Sequence, residues 1–199
     1  SAPASLFTGL SVQDTKGSTN GSFGIPYTIN TLAEKALAQG YRTALFSGGP
    51  PILAKSGLHQ GFEDIDDDFM RDGRFYRPAR ENLDHALNWL LESPKEKSLA
   101  HIFLADLQFP FVGTFSPDGK EREKSVLAQK REVDESLKWF IAELKKKNLW
   151  ENSYVFVLGL NGDASSVRKD VLWHENLFRE NIHLPLFIKL PAGAVASSG

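Results

Sequence analysis

The chain has no cysteine among its 199 residues. Thiol nucleophiles, zinc–cysteine sites and disulfides are thereby excluded, while the redox compartment is left open. Net charge is nearly absent too, with 23 Lys and Arg against 25 Asp and Glu. A protein whose affinity rests on phosphate contacts is usually basic, so no nucleic acid is expected as a partner. The longest strongly apolar run, Tyr154 to Leu160, falls far short of the ~20 residues that cross a bilayer, so no membrane span is expected. No basic and apolar leader opens the chain, and any targeting signal is read as removed or upstream. The five histidines, at 59, 85, 101, 174 and 183, lack HxH or HExxH spacing, which argues against a self-contained zinc site. Gly48-Gly49-Pro50-Pro51 is followed by no Gly-Lys-Ser/Thr and is not a phosphate-binding P-loop.

What is present is globular. Hydrophobic residues make up 41% of the chain, beside 16 glycines, which opposes disorder. Ser1 to Pro26 is rich in Ser, Gly, Thr and Asn without a sustained period and reads as loop, with one short element at most. Thr31-Leu32-Ala33-Glu34 fits a capping box, in which a hydroxyl and a carboxylate three residues on satisfy reciprocal backbone donors. The helix it opens stops at Gly40, and Thr43 to Phe46 then reads as a strand. Leu83, Ala86, Leu87, Leu90 and Leu91 recur at helical spacing between Arg80 and Glu92. Ile102 to Leu104, Val155 to Leu158 and Leu186 to Ile188 are short apolar runs of strand type. A long helix is expected from about Lys120 to Lys147, lying on the sheet through Val133, Leu137, Phe140, Ile141 and Leu144. Its terminal Lys145-Lys146-Lys147 suits the negative end of the helix dipole. Helices alternating with strands that lack in–out alternation predict a three-layer α/β/α sandwich around a mostly parallel central sheet.

Polar residues just past strand ends matter most in such folds. Asp106 follows one strand, and Asn161 and Asp163 follow another, where they are candidate metal ligands or hold a base. Turn capping is the plainer role for such residues. His174, in a polar loop, is a candidate acid–base group or a surface histidine. The acidic run Glu63 to Asp68 lacks the glycine and distal glutamate of a calcium loop and reads as a solvated acidic loop. Asn20-Gly21-Ser22 is a glycosylation sequon in a secreted eukaryotic context.

Several stretches, in order, resemble the sulfatase family of the alkaline phosphatase superfamily. Ala4-Ser5-Leu6-Phe7-Thr8-Gly9 looks like the segment that follows the nucleophile in those enzymes. Thr31 to Glu34 with Gly40-Tyr41-Arg42-Thr43, and Gly48-Gly49 through Gly61-Phe62 with the acidic run, are similar to the next family blocks. Val133 to Gly162 lies on a later block without a gap, and Pro185 to Pro191 resembles the strand closing it.

The resemblance implies an alkaline phosphatase-like fold and hydrolysis of sulfate or phosphate esters. It also implies a divalent metal (calcium, magnesium, manganese or zinc) stabilising charge on the non-bridging oxygens. It implies one sulfatase-like domain over 1–199, incomplete at its N-terminus, and a periplasmic or extracellular location. Ser1 falls on the nucleophile if a two-residue gap is allowed; without a gap, the nucleophile lies just upstream. His174 matches the family's late histidine. The metal positions are depleted, with Leu160 and Asn161 standing where the family has Asp-His and Phe103 and Gln108 where it has histidines. Leucine ligates no metal, and a neutral amide oxygen is a far weaker ligand than carboxylate. Asp106, Asn161 and Asp163 are then the remaining metal candidates, and no tightly bound metal is expected. The resulting expectation is a catalytically impaired binding or regulatory module for a sulfated or phosphorylated small molecule or glycan. The alternative is an active ester hydrolase whose altered site is completed by residues outside this chain.

Overall fold

The sequence Arg-Thr-Ala-Leu-Phe-Ser forms β1 (Arg42–Ser47), a strand buried along five of its six residues. Leu45 and Ala44 are both fully buried although they point to opposite faces, which requires cover on each side. A computed structural model describes residues 2–15, 24–50, 52, 57–70, 76–108, 120–160, 162 and 179–194. It places β1 between two parallel neighbours, β2 (Asp64–Asp66) and β3 (Ser98–Phe103). The β1–β3 register runs from Arg42 opposite Ser98 to Ser47 opposite Phe103, and Ala44 stands opposite Asp64 on β2.

Helices cover both faces. On one, Leu45 packs in a core with Ala4, Phe7, Ala33, Ile52, Leu58 and Phe62. That core joins α1 (Ala2–Thr8) and α3 (Leu32–Ala38) to the sheet. On the other face Ala44 and Phe46 pack with Ala86 and Trp89 of α4 (Ala79–Glu92). The layers are thus helix, parallel sheet, helix, as the strand pattern predicts. The capping box forms as read: Thr31 Oγ1 accepts the Glu34 N–H at 3.1 Å, and Glu34 accepts the Thr31 N–H at 2.7 Å. The Thr31 hydroxyl also donates to Gln60 O at 2.8 Å, tying the helix start to the loop before β2. At Gly61, with φ +83°, a Cβ would run into the Glu34 backbone, so only glycine admits this approach.

Three expectations need correction. The N-terminal stretch is not loop with one short element but holds two helices, α1 and the single-turn α2 (Val12–Thr15). Only Ala4 and Phe7 of α1 are buried, too few to leave a legible period. The acidic run is not a solvated loop throughout, because Asp64–Asp66 pairs with β1 and its side chains hold partners. Trp89 Nε1 donates to Asp64 at 2.7 Å, and Arg77 and His85 both bind Asp66. Third, α5 (Lys120–Lys146) buries Phe140 and Leu144, whereas Val133, Leu137 and Ile141 are only half-buried. Among its described side chains, Gln129 and Ser136 are buried too, and the Arg80 guanidinium of α4 lies 3.5 Å from the Trp139 ring centre.

The chain divides into two compact units, Ser1–Leu144 and Lys145–Gly199. In the second, β4 (Val155–Leu158) pairs antiparallel with β5 (Leu186–Lys189), Val155 opposite Lys189. Lys189 Nζ donates to the carbonyls of Trp150 and Ser153, and Ala192 N–H donates to Glu151 O at 2.7 Å. These strands read as buried in the sequence, yet Phe156 and Phe187 are exposed. Among the described residues this unit has one further helix, the four-residue α6 (Arg179–Ile182). No helix among the described residues is long and apolar enough to cross a membrane.

His101 on β3 packs its ring 4.5 Å from that of Phe7. Burial lowers its pKa to about 4 from 6.5. A histidine depressed in the folded state contributes stability that is whole above pH 6.5 and drains away as pH falls towards 4. The drain amounts to about 3 kcal/mol at most, at 1.36 kcal/mol per pH unit. Urea unfolding across pH 4–7 should show this slope in the native protein and lose it in His101→Phe. Leu45→Ala, at the sheet centre, should cost about 2–5 kcal/mol in the same assay at pH 7.

Candidate functional site

The carboxyl ends of β1 and β3 meet through glycine. Gly48 N–H donates to Phe103 O at 2.8 Å, and a Cβ at Gly48 would sit 2.8 Å from that same oxygen. A Cβ at Gly49 would strike the Tyr76 ring and Ala105. Arg77 N–H then donates to Gly48 O at 2.7 Å, which carries the chain from β1's end to the start of α4. The Ser47 hydroxyl, buried beneath, lies 2.9 Å from Gly49 O and 2.5 Å from Ile52 O.

Arg77 is 2% exposed and gathers the three strand ends. Its guanidinium donates to the Asp66 carboxylate at the end of β2, to Asp68 O at 2.9 Å and to Asn82 Oδ1 at 3.0 Å. Asn82 passes the connection on, its amide donating to Phe103 O of β3 at 3.0 Å and Phe46 O of β1 at 3.4 Å. His85 Nδ1 lies 2.6 Å from the second Asp66 oxygen. Burial alone would raise the Asp66 pKa. The bonds and charges of Arg77 and His85 together outweigh it and hold the carboxyl below its usual 3.8.

Asp106 follows β3 and is 3% exposed. Pro78, which precedes α4, offers no side-chain cap, and Asp106 Oδ1 fills that role by accepting the Ala79 N–H at 2.8 Å. Its Oδ2 is buried and has no hydrogen-bond partner among the described residues. Burial pushes the carboxyl pKa up; the Ala79 N–H and its own N–H oppose this, and the negative charge of Glu132 on α5 raises it further. Gln108, two residues on, has a buried Oε1 that is equally unpartnered. The turn from Ala105 to Gln108 is closed by Gln108 N–H donating to Ala105 O at 2.9 Å.

Of the site residues expected from sequence, Asp106 alone is placed. Ser1, Asn161, Asp163 and His174 lie outside the described residues. Sequence reasoning missed Arg77, Asn82, His85 and Glu132. An Arg-Pro pair ahead of a helix carries no motif, and a helical Asn or His at one position has no period to reveal it.

The Sulfatase family model matches residues 2–198. The chain belongs to the sulfatase family. Solved structures agree on the fold. The lipoteichoic acid synthase LtaP from Listeria monocytogenes superposes with a TM-score of 0.68 at 20% identity, over 96% of this chain and 53% of that one. A Vibrio parahaemolyticus protein in the alkaline phosphatase superfamily gives 0.64 at 17% identity, over 96% and 48%. A Bacteroides thetaiotaomicron protein from the metabolism of multiple glycosaminoglycans gives 0.69 at 12% identity, over 96% and 55%. This sulfatase-family chain thus has an alkaline phosphatase-like fold and spans about half the length of those relatives. No curated protein sequence matches it significantly.

The family is generally metal-dependent. Among the described residues no three His, Cys, Asp or Glu side chains stand together as a metal site. The one placed candidate, Asp106, has an oxygen committed to the α4 backbone. The described donor set does not fit the family's metal, and no step is derived through it.

Arg77→Leu should cost about 3–5 kcal/mol at pH 7, because it leaves buried acceptors and a carboxylate without their cation. The stability that Asp66 contributes is complete above 3.8 and is lost as pH falls through its lowered folded value. The deficit of Arg77→Leu should therefore shrink below pH 3.8, measured by urea unfolding at stepped pH. A deficit constant to pH 2 would dissociate Arg77 from Asp66.

Proposed function

We propose that this chain is a sulfatase-family domain that binds a sulfated or phosphorylated small molecule or glycan and does not turn it over efficiently. The observation that carries this is the state of Asp106. The described member of the depleted ligand set holds the first turn of α4 with one oxygen. Leu160, an alkyl side chain, stands where the resemblance needs a carboxylate. Phosphoryl and sulfuryl transfer need concentrated positive charge at the non-bridging oxygens, which a carboxylate-held metal would supply, and Asp106 has one of its two oxygens committed to the Ala79 N–H.

The ligand class is supported by the Bacteroides relative's place in glycosaminoglycan metabolism. The family match over 2–198 supports reading Ser1–Leu144 and Lys145–Gly199 as parts of one sulfatase-like domain. A periplasmic or extracellular location goes with this proposal on the strength of the family resemblance. A second reading keeps the chain an active metal-dependent ester hydrolase completed by residues outside it. Its support is that these relatives are about twice as long.

The test is a screen with p-nitrophenyl sulfate and p-nitrophenyl phosphate, each with calcium, magnesium, manganese or zinc at millimolar concentration. The expected result is release of p-nitrophenol at the buffer rate and no stoichiometric metal in the purified protein. Metal-dependent turnover that falls in Asp106→Ala would favour the hydrolase.

A further inference from the structure

We infer that one face of the β4–β5 ribbon is an interface on which a second copy of this chain docks, giving a symmetric dimer.

The register sets which residues share that face. Phe156 stands opposite Ile188 and Leu158 opposite Leu186, and alternate residues of a strand point the same way. Tyr154, just before β4, lies on the same side, because its ring stacks on that of Phe156 at 6.5 Å with 16° between the planes. These five side chains are between 37% and 62% exposed, and none belongs to either core of the parallel sheet. No charged residue interrupts 154–160 or 184–188. Strands left open to water usually carry such charges, which keep other chains away.

The opposite face differs. It carries Val157 and Phe187, but Lys189 stands there too. The Lys189 ammonium is held by the Trp150 and Ser153 carbonyls and lies 4.9 Å from the centre of the Trp150 ring. Only the Phe156 face is apolar without interruption.

Area and charge choose the occupant. Five residues of this size, about half exposed, leave about 600 Å² of apolar surface open, the upper end of what a monomer shows. An isologous pair doubles this to about 1,200 Å², which reaches the range of specific interfaces. Parallel rings beside aliphatic side chains present a level surface, and a level apolar surface is complementary to its own copy turned about a two-fold axis. The formal net charge of −2 gives two copies little mutual repulsion.

The experiment is sedimentation equilibrium of the full chain from about 1 to 100 μM, where the mass should climb towards that of two chains. Phe156→Glu should weaken association at least tenfold, since the substitution acts twice across the two-fold axis. Phe187→Ser, on the other face, should leave association unchanged. Both side chains are exposed, so the circular dichroism spectrum should be kept. The absence of cysteine permits a second measurement that leaves Phe156 in place. Ile188→Cys should react readily with a thiol reagent in the dilute protein and several-fold more slowly in the concentrated one. If Phe156→Glu loses its spectrum, this protection decides.

A monomer at every concentration would overturn the inference. Thiol labelling that is then uniformly fast would assign the face to a foreign partner, and labelling that is uniformly slow would assign it to another part of this chain. Association that survives in folded Phe156→Glu, association lost in Phe187→Ser, or open-ended assembly beyond two chains would overturn it equally.

Discussion

A single buried cation organises the carboxyl end of the sheet. The Arg77 guanidinium has almost no water, so its charge is tolerable only with acceptors arranged around it. Those acceptors come from β2 directly and from β1 and β3 through Asn82. The backbone of Arg77 also holds Gly48, which holds Phe103 in turn. Strand order, the departure of the chain from β1 and the entry into α4 are thus fixed around one side chain. Parallel strands, whose slanted ladder is slightly the weaker kind, gain from being clamped at the end where their loops diverge.

That clamp explains what the sequence could and could not disclose. β1 is legible because Thr43 to Phe46 is a continuous apolar run, as burial on both faces requires. α4 is legible from its leucine period, and α3 from Thr31 and Glu34. β2 is illegible, since Asp-Ile-Asp reads as solvent-facing and is a strand only because Arg77, His85 and Trp89 arrive from distant positions to bind its carboxylates. Tertiary partners overrule local composition there. β4 and β5 show the converse: their composition announces a core strand, while Phe156 and Phe187 are exposed. At the site, position after a strand was enough to single out Asp106. Its orphaned oxygen and its proximity in charge to Glu132 depend on folding and have no sequence signature.

Family membership rests on the scaffold rather than on the strand-end side chains. The sulfatase resemblance is carried by glycines, caps and core residues, which preserve the scaffold. At the end of β3, Phe103 packs against the core, and Gln108 closes the turn that follows. Fold alone does not set chemistry, since the two are maintained by different residues.

The Asp106–Ala79 bond has a consequence for how the chain assembles. It joins residues 27 positions apart, and no local side chain caps α4. The first turn of α4 therefore stays frayed until β3 has docked and delivered its carboxylate. Helix completion and sheet closure become one cooperative event, and a nascent chain that has emerged only as far as Glu92 holds a helix without its beginning.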